Sequence, residues 1–78
     1  MMTVEVNLEL ILAELAPGGG RRMTVTLPEG ATVEDLIARL QIPADHTGMV
    51  LRDGQLIRGG AVLCDGDHIM LFPPLSGG

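Results

Sequence analysis

Leu27-Pro28-Glu29-Gly30-Ala31-Thr32-Val33-Glu34-Asp35-Leu36-Ile37-Ala38-Arg39-Leu40 is the stretch whose reading decides the fold. Pro28-Glu29-Gly30-Ala31 breaks any extended run that precedes it. Thr32 is a good N-cap, and Asp35, three residues on, stands in for the usual Glu or Gln of a capping box. Glu34 and Asp35 fall at the positive end of a helix dipole and Arg39 near its negative end. Val33, Leu36, Ile37 and Leu40 recur at i, i+3, i+4 and i+7, which makes one apolar stripe. The spacing predicts a single amphipathic helix about ten residues long, stopped by Pro43.

A helix with one apolar stripe needs a second layer to cover it, and the sequence around it supplies strands. Upstream, Val4, Val6, Leu8 and Leu10 alternate with Glu5, Asn7 and Glu9, the period of a half-buried strand. The run is read as strand to about residue 14, although Leu8, Ile11, Leu12 and Leu15 also fit helical spacing. Pro17-Gly18-Gly19-Gly20 is a turn. Met23, Val25 and Leu27 then alternate with Arg22, Thr24 and Thr26 as the second arm of a hairpin. A phosphate-binding reading of the three glycines would need a helix and a Gly-Lys-Ser/Thr ending to follow, and a strand follows instead.

Downstream, residues 44–48 form a polar connector. Met49-Val50-Leu51-Arg52 reads as a short strand, Asp53-Gly54 as a turn and Gln55-Leu56-Ile57 as a strand or turn arm. Asp65-Gly66-Asp67 is a tight turn before a last strand, His68-Ile69-Met70-Leu71-Phe72. The order β-β-α-β-(β)-β predicts an α+β domain: a small mixed sheet with one helix across one face.

The bulk numbers exclude several function classes. Seventy-eight residues make one small domain. A net charge of −5 suits neither nucleic acid nor an anionic membrane. All five basic side chains are arginine, so Met1 carries the one ordinary amine. No secretory signal is evident, and Leu10-Ile11-Leu12-Ala13 is too short to span a bilayer, so a cytoplasmic location is expected. The single cysteine, Cys64, excludes a disulfide and a four-cysteine metal site. Within Ala61-Val62-Leu63-Cys64 it reads as a small buried hydrophobe, since Asp65 and Asp67 are the wrong charge to activate a thiol.

Few constellations for catalysis remain. His46 and His68 lack partners at metal-ligand spacing, and no metal site is expected. A Ser/His/Asp set would depend on Ser76 near the terminus. Asp65 and Asp67 lack the ligand ladder of a calcium loop. An active site lying wholly within the domain is therefore not expected, and neither is a bound cofactor.

The remaining feature is the ending, Phe72-Pro73-Pro74-Leu75-Ser76-Gly77-Gly78. Pro73-Pro74 fixes two φ angles and removes two donors, which predicts a stiff extended spacer leaving the domain. Residues 1–72 are read as the domain and residues 73–78 as a flexible tail. Leu75, Ser76, Gly77 and Gly78 grow slimmer toward the end, as needed to thread a narrow channel in another protein. The stop after Gly78 makes its carboxylate the candidate reacting group, with Pro73, Pro74, Leu75, Ser76 and Gly77 recognised along the tail. An inert, frayed terminus is the alternative. If Leu71 is core, alternation places Phe72, Met70 and with them Val50 on the outer sheet face as a partner-facing patch. A bulge that turns Phe72 inward is the alternative there.

The helix segment Leu27–Leu36, the turn Leu63-Cys64-Asp65-Gly66-Asp67 and the ending Phe72–Gly78 together resemble the MoaD/ThiS sulfur carriers. The resemblance covers nearly the whole chain. It implies a ubiquitin-like β-grasp fold, and the Phe-Pro-Pro ending looks more like the MoaD branch, the small subunits of molybdopterin synthase, than the ThiS branch. Where members often carry Val-Asn or Asn-Gly, this chain reads Met49-Val50-Leu51-Arg52-Asp53-Gly54-Gln55. The resemblance further implies that an adenylating partner, similar to ubiquitin-activating enzymes, uses ATP to join Gly78 to AMP. A persulfide then converts Gly78 to a thiocarboxylate, and a synthase partner such as the molybdopterin synthase large subunit accepts the sulfur. On that reading the chain is not a free-standing enzyme. Thiamine thiazole formation, tRNA thiolation, cysteine synthesis and protein modification through Gly78 stay open as alternatives.

Overall fold

The computed structural model describes residues 1–9 and 21–74. The turn Pro17–Gly20, the continuation of the first strand beyond Glu9 and the tail residues Leu75, Ser76, Gly77 and Gly78 lie outside the described residues. The described elements run β1 (Met2–Leu8), β2 (Arg22–Leu27), α1 (Val33–Leu40), a 3-10 turn (Ala44–His46), β3 (Val50–Arg52), β4 (Gln55–Ile57) and β5 (His68–Leu71).

The five strands form one mixed sheet in the order β2-β1-β5-β3-β4. β1 pairs antiparallel with β2, from Met2 opposite Leu27 to Asn7 opposite Arg22. It pairs parallel with β5, from Glu5 opposite His68 to Leu8 opposite Leu71. β3 pairs antiparallel with both β5 and β4. The C-terminal strand is thus the middle of the sheet, with two strands on either side. This α+β arrangement, with a helix grasped by a mixed sheet, is the β-grasp fold of ubiquitin-like proteins.

The helix forms where its signals place it. Thr32 Oγ1 accepts from the Asp35 N–H at 3.3 Å, and Asp35 Oδ2 accepts from the Thr32 N–H at 2.9 Å, so the capping box closes with Asp in place of Glu. The next two amides also find protein partners: Val33 N–H donates to Ala61 O at 3.1 Å and Glu34 N–H to Gly59 O at 3.0 Å. The free donors of the first turn are consumed within the domain, so this helix start does not hold an open anion site. The helix ends at Leu40, three residues before Pro43, because Gln41 turns left-handed at φ 61° and its N–H donates back to Ala38 O at 3.1 Å.

The core is apolar throughout. Val4, Val6 and Leu8 from β1, Ile69 and Leu71 from β5, and Val33 and Leu36 from α1 are fully enclosed. Val25 and Leu27 close one side, and Leu40, Ile42 and Leu63 the other. No polar or charged side chain is buried among the described residues. Burying a Leu or Ile contributes about 1.5–3 kcal/mol each, enough for a small domain to fold without a staple.

β1 is described as Met2–Leu8, and the strand expected as far as about residue 14 lies outside the described residues. The structure differs from the sequence reading at two places. β5 ends at Leu71, one residue short of Phe72. Cys64, expected in the core, is exposed. Leu63 takes the buried place, at 2% exposure, while Val62 is 55% exposed. The apolar run there is not a strand. Val62 makes an isolated bridge to Thr32, and the chain then turns so that the Cys64 N–H donates to Asp67 Oδ2 at 2.8 Å. The two aspartates of this turn are structural. Asp65 Oδ1 accepts from the Thr3 N–H at 2.7 Å, and Asp67 Oδ2 also accepts from Arg52 Nη1 at 3.3 Å. No described helix is long and apolar enough to cross a membrane.

Candidate functional site

Catalytic clusters are missing from the described residues. They hold no group of three or more His, Cys, Asp or Glu that could bind a metal. Two shallow grooves, of about 280 and 390 Å³, run beside α1. Their described linings include one acid, Glu34, and neither His nor Cys. His46 lies in the 3-10 turn, where Nδ1 sits 3.4 Å from Asp45, and His68 Nε2 lies 3.3 Å from Asn7 Oδ1 on the sheet. They belong to different elements and are not brought together.

The region that stands out is the carboxyl end of β5. It is tied on both sides. The Glu9 N–H, beyond β1, donates to Leu71 O at 2.9 Å. On the other side, the Phe72 N–H donates to Met49 O at 2.9 Å, and Phe72 O accepts from the Gly48 N–H at 2.8 Å. Two residues, Gly48 and Met49, thus serve one, Phe72, which is the count that defines a β-bulge. The slip occurs on the Gly48 side, so Phe72 keeps the alternation of β5. Pro73 and Pro74 follow directly and lie across Gly48. The tail therefore begins at the centre of the sheet, on the strand held most firmly.

Beside that root lies an apolar surface that no described residue covers. The helix covers the face carrying Ile69 and Leu71, so Met70 and Phe72 fall on the outer face, and both are half-buried. Register adds residues the sequence reading did not assign. Leu51 lies opposite both Met70 and Leu56. Cross-strand partners share a face, so Leu51 and Leu56 extend the patch. Leu56 is 69% exposed and Met49, beside Phe72, is 38% exposed. Val50 is the correction. It was expected in the patch, but it pairs with Leu71 and is 5% exposed in the core. Strand parity alone could not assign it, because the partner residue had to be known.

The outer face is graded along its length. Toward the start of β1 it is polar, with Glu5 opposite His68 and Thr24, and Thr3 opposite Thr26. Toward the tail it becomes Leu51, Leu56, Met70 and Phe72. An apolar patch next to the point where a tail leaves the sheet can serve to dock a partner.

Comparisons with known proteins agree with the fold. A family model described as the ThiS family matches residues 10–78. No curated protein sequence matches significantly. Among solved structures, small archaeal modifier protein 1 from H. volcanii is 30% identical over 96% of this chain and 100% of that one, with a TM-score of 0.75. A putative molybdopterin converting factor subunit 1 from Pyrococcus furiosus is 26% identical, covers 96% of this chain and 100% of that one, and gives 0.78. The complex of subunits 1 and 2 of molybdopterin-converting factor from Helicobacter pylori 26695 matches at 25% identity, covering 99% of this chain and 100% of that one, with a TM-score of 0.63. From the family match across most of its length and the sheet order that accompanies it, the chain belongs to the ThiS family of ubiquitin-like β-grasp proteins.

Proposed function

We propose that this chain is a cytoplasmic sulfur carrier whose Gly78 carboxylate is converted to a thiocarboxylate, and that it serves molybdopterin formation. The observation that carries the proposal is the tail root. Phe72-Pro73-Pro74 leaves the central strand beside an apolar face that no described residue covers, and the described residues hold no catalytic cluster. Such a domain presents a chain end and leaves the chemistry to its partners.

The chemistry explains why partners are needed. A carboxylate resists attack because oxide is a poor leaving group. An adenylating partner would form a bond between a Gly78 oxygen and the α-phosphorus of ATP, releasing pyrophosphate. The outgoing group then becomes AMP. A persulfide sulfur displaces AMP, and a thiol cleaves the resulting S–S bond, which leaves the thiocarboxylate and a disulfide. Gly77 keeps the approach to Gly78 slim, and Leu75 and Ser76 run along the partner's channel. Met70 and Phe72 dock first. The likeness to subunit 1 of molybdopterin converting factors favours a synthase large subunit as the acceptor of sulfur.

Intact mass spectrometry tests this directly. After incubation with ATP, a sulfur source and the cognate adenylating enzyme, the chain should gain the mass of one sulfur in place of one oxygen, localised to Gly78. Gly78→Ala, or one residue appended after Gly78, should abolish the gain while the fold persists. Normal loading of those variants would sink the proposal.

One observation favours a second reading. The H. volcanii protein 30% identical to this chain is named a modifier. If this chain also modifies proteins, Gly78 would form isopeptides, and cell extracts should contain high-mass conjugates that vanish when Gly77-Gly78 is deleted. With no lysine, the chain could not extend such conjugates on its own side chains.

A further inference from the structure

Gly48 is a glycine for which its own backbone gives no reason. The positive-φ glycines among the described residues are Gly30, Gly54 and Gly66, so Gly48 holds a conformation open to other residues. The reason lies in what crosses it. A Cβ on Gly48 would sit 2.7 Å from Pro74 Cα, 2.8 Å from Pro73 O and 2.9 Å from Pro74 N. All three are backbone atoms, so no side-chain rotation relieves the clash. The two hydrogen bonds shared by Gly48, Met49 and Phe72 press the same segments together.

We infer that Gly48 is a positioning residue for the tail: its missing side chain lets Pro73-Pro74 lie flat across the connector, and this sets the point and direction from which the chain continues after Pro74. The inference rests on the proposed function and deepens it. Any side chain at 48 must lift the proline pair by roughly an ångström to reach ordinary contact. The two proline φ restraints pass that tilt onward. Four residues beyond Pro74 reach at most about 14 Å, so a tail drawn out in a partner's channel has little slack with which to absorb a displaced root. Misplacement of a reacting group by about an ångström can cost two orders of magnitude in rate. Docking through Met70 and Phe72 would be left largely intact, so the loss should fall on turnover rather than on binding.

The test compares Gly48→Ala with Gly60→Ala, since a Cβ on Gly60 meets nothing within 4 Å. Each variant is given to the cognate adenylating enzyme, and AMP transfer to Gly78 is followed by pyrophosphate release. Gly48→Ala should melt within about 5 °C of the parent, keep KM within about threefold and lose at least about tenfold in kcat. Gly60→Ala should match the parent in all three. An unchanged kcat, or a loss expressed wholly in KM, would overturn the inference. Residual dipolar couplings of the Leu75–Gly78 amides in the free protein give a readout that needs no enzyme. They should change in Gly48→Ala and not in Gly60→Ala, and unchanged couplings again overturn the role of Gly48. If the parent itself is never adenylated, the proposed function fails and the couplings alone decide this inference. If Gly48→Ala does not fold, nuclear Overhauser contacts between the α-protons of Gly48 and Pro74 in the parent decide: the close approach predicts them, and their absence overturns the inference.

Discussion

Near the root of the tail the two faces of the sheet carry similar residues and are used in opposite ways. On the inner face Val4, Val6, Leu8, Ile69 and Leu71 are fully enclosed beneath α1. On the outer face Leu51, Leu56, Met70 and Phe72 have no covering layer among the described residues. The two sets meet on β5, where Ile69 and Leu71 alternate with Met70. What separates them is the helix, which can cover one face only. A domain of this size holds about 4–12 kcal/mol of total stability, by the usual per-residue range. Leaving Leu56 exposed and Leu51, Met70 and Phe72 only partly covered by the described residues gives up some of that, which is the mark of a surface kept for a partner.

The comparison can be broken most forcefully from the inside. Ile69→Ala removes a fully enclosed side chain in the central strand and should cost about 2–5 kcal/mol, measured by urea unfolding. A loss below about 1 kcal/mol would mean the inner face is not the packed one. One residue further along the chain, Met70→Glu should give the reverse pattern. Affinity for the adenylating or synthase partner should fall about 30-fold by calorimetry, while stability changes by less than about 1 kcal/mol. If the two neighbours behaved alike, the division of labour between the faces would be wrong.

Smaller effects sharpen the picture of how the inner face is closed. Asp67 holds the Cys64 N–H and the Arg52 guanidinium, and its side chain is 13% exposed. Asp67→Ala should cost about 1–2 kcal/mol in chemical denaturation, through loss of charge-assisted hydrogen bonds. Thr32→Ala removes the cap of the covering helix and should cost about 1 kcal/mol, with partner affinity untouched. Finding that Thr32→Ala weakens partner binding as much as Met70→Glu would show that the helix side also carries the interface.

How far each feature could be read in advance depends on how local its cause is. The helix was legible because Thr32, Asp35 and the Val33–Leu40 stripe act within a few residues of one another. The strands were legible for the same reason, through alternation of period two. Val50 and Cys64 were not. Val50 belongs to the core because antiparallel pairing sets it opposite Leu71, twenty-one residues away. Cys64 is exposed because the chain bridges to Thr32 and then folds back on the Asp67 carboxylate. Neither partner is visible from the neighbouring sequence. Leu51 and Leu56 entered the outer patch in the same way, through register rather than composition.

Sequence by itself determined the α+β composition, the order of the elements, the capping of the single helix and the Pro-Pro-Leu-Ser-Gly-Gly ending, because each depends on residue types and their spacing along a short span. Only the tertiary structure decided that β5 lies at the centre of the sheet, which apolar residues face outward and that Pro73-Pro74 rests on Gly48. Those facts depend on pairings between segments far apart in the chain, where one residue of register exchanges the buried face for the exposed one.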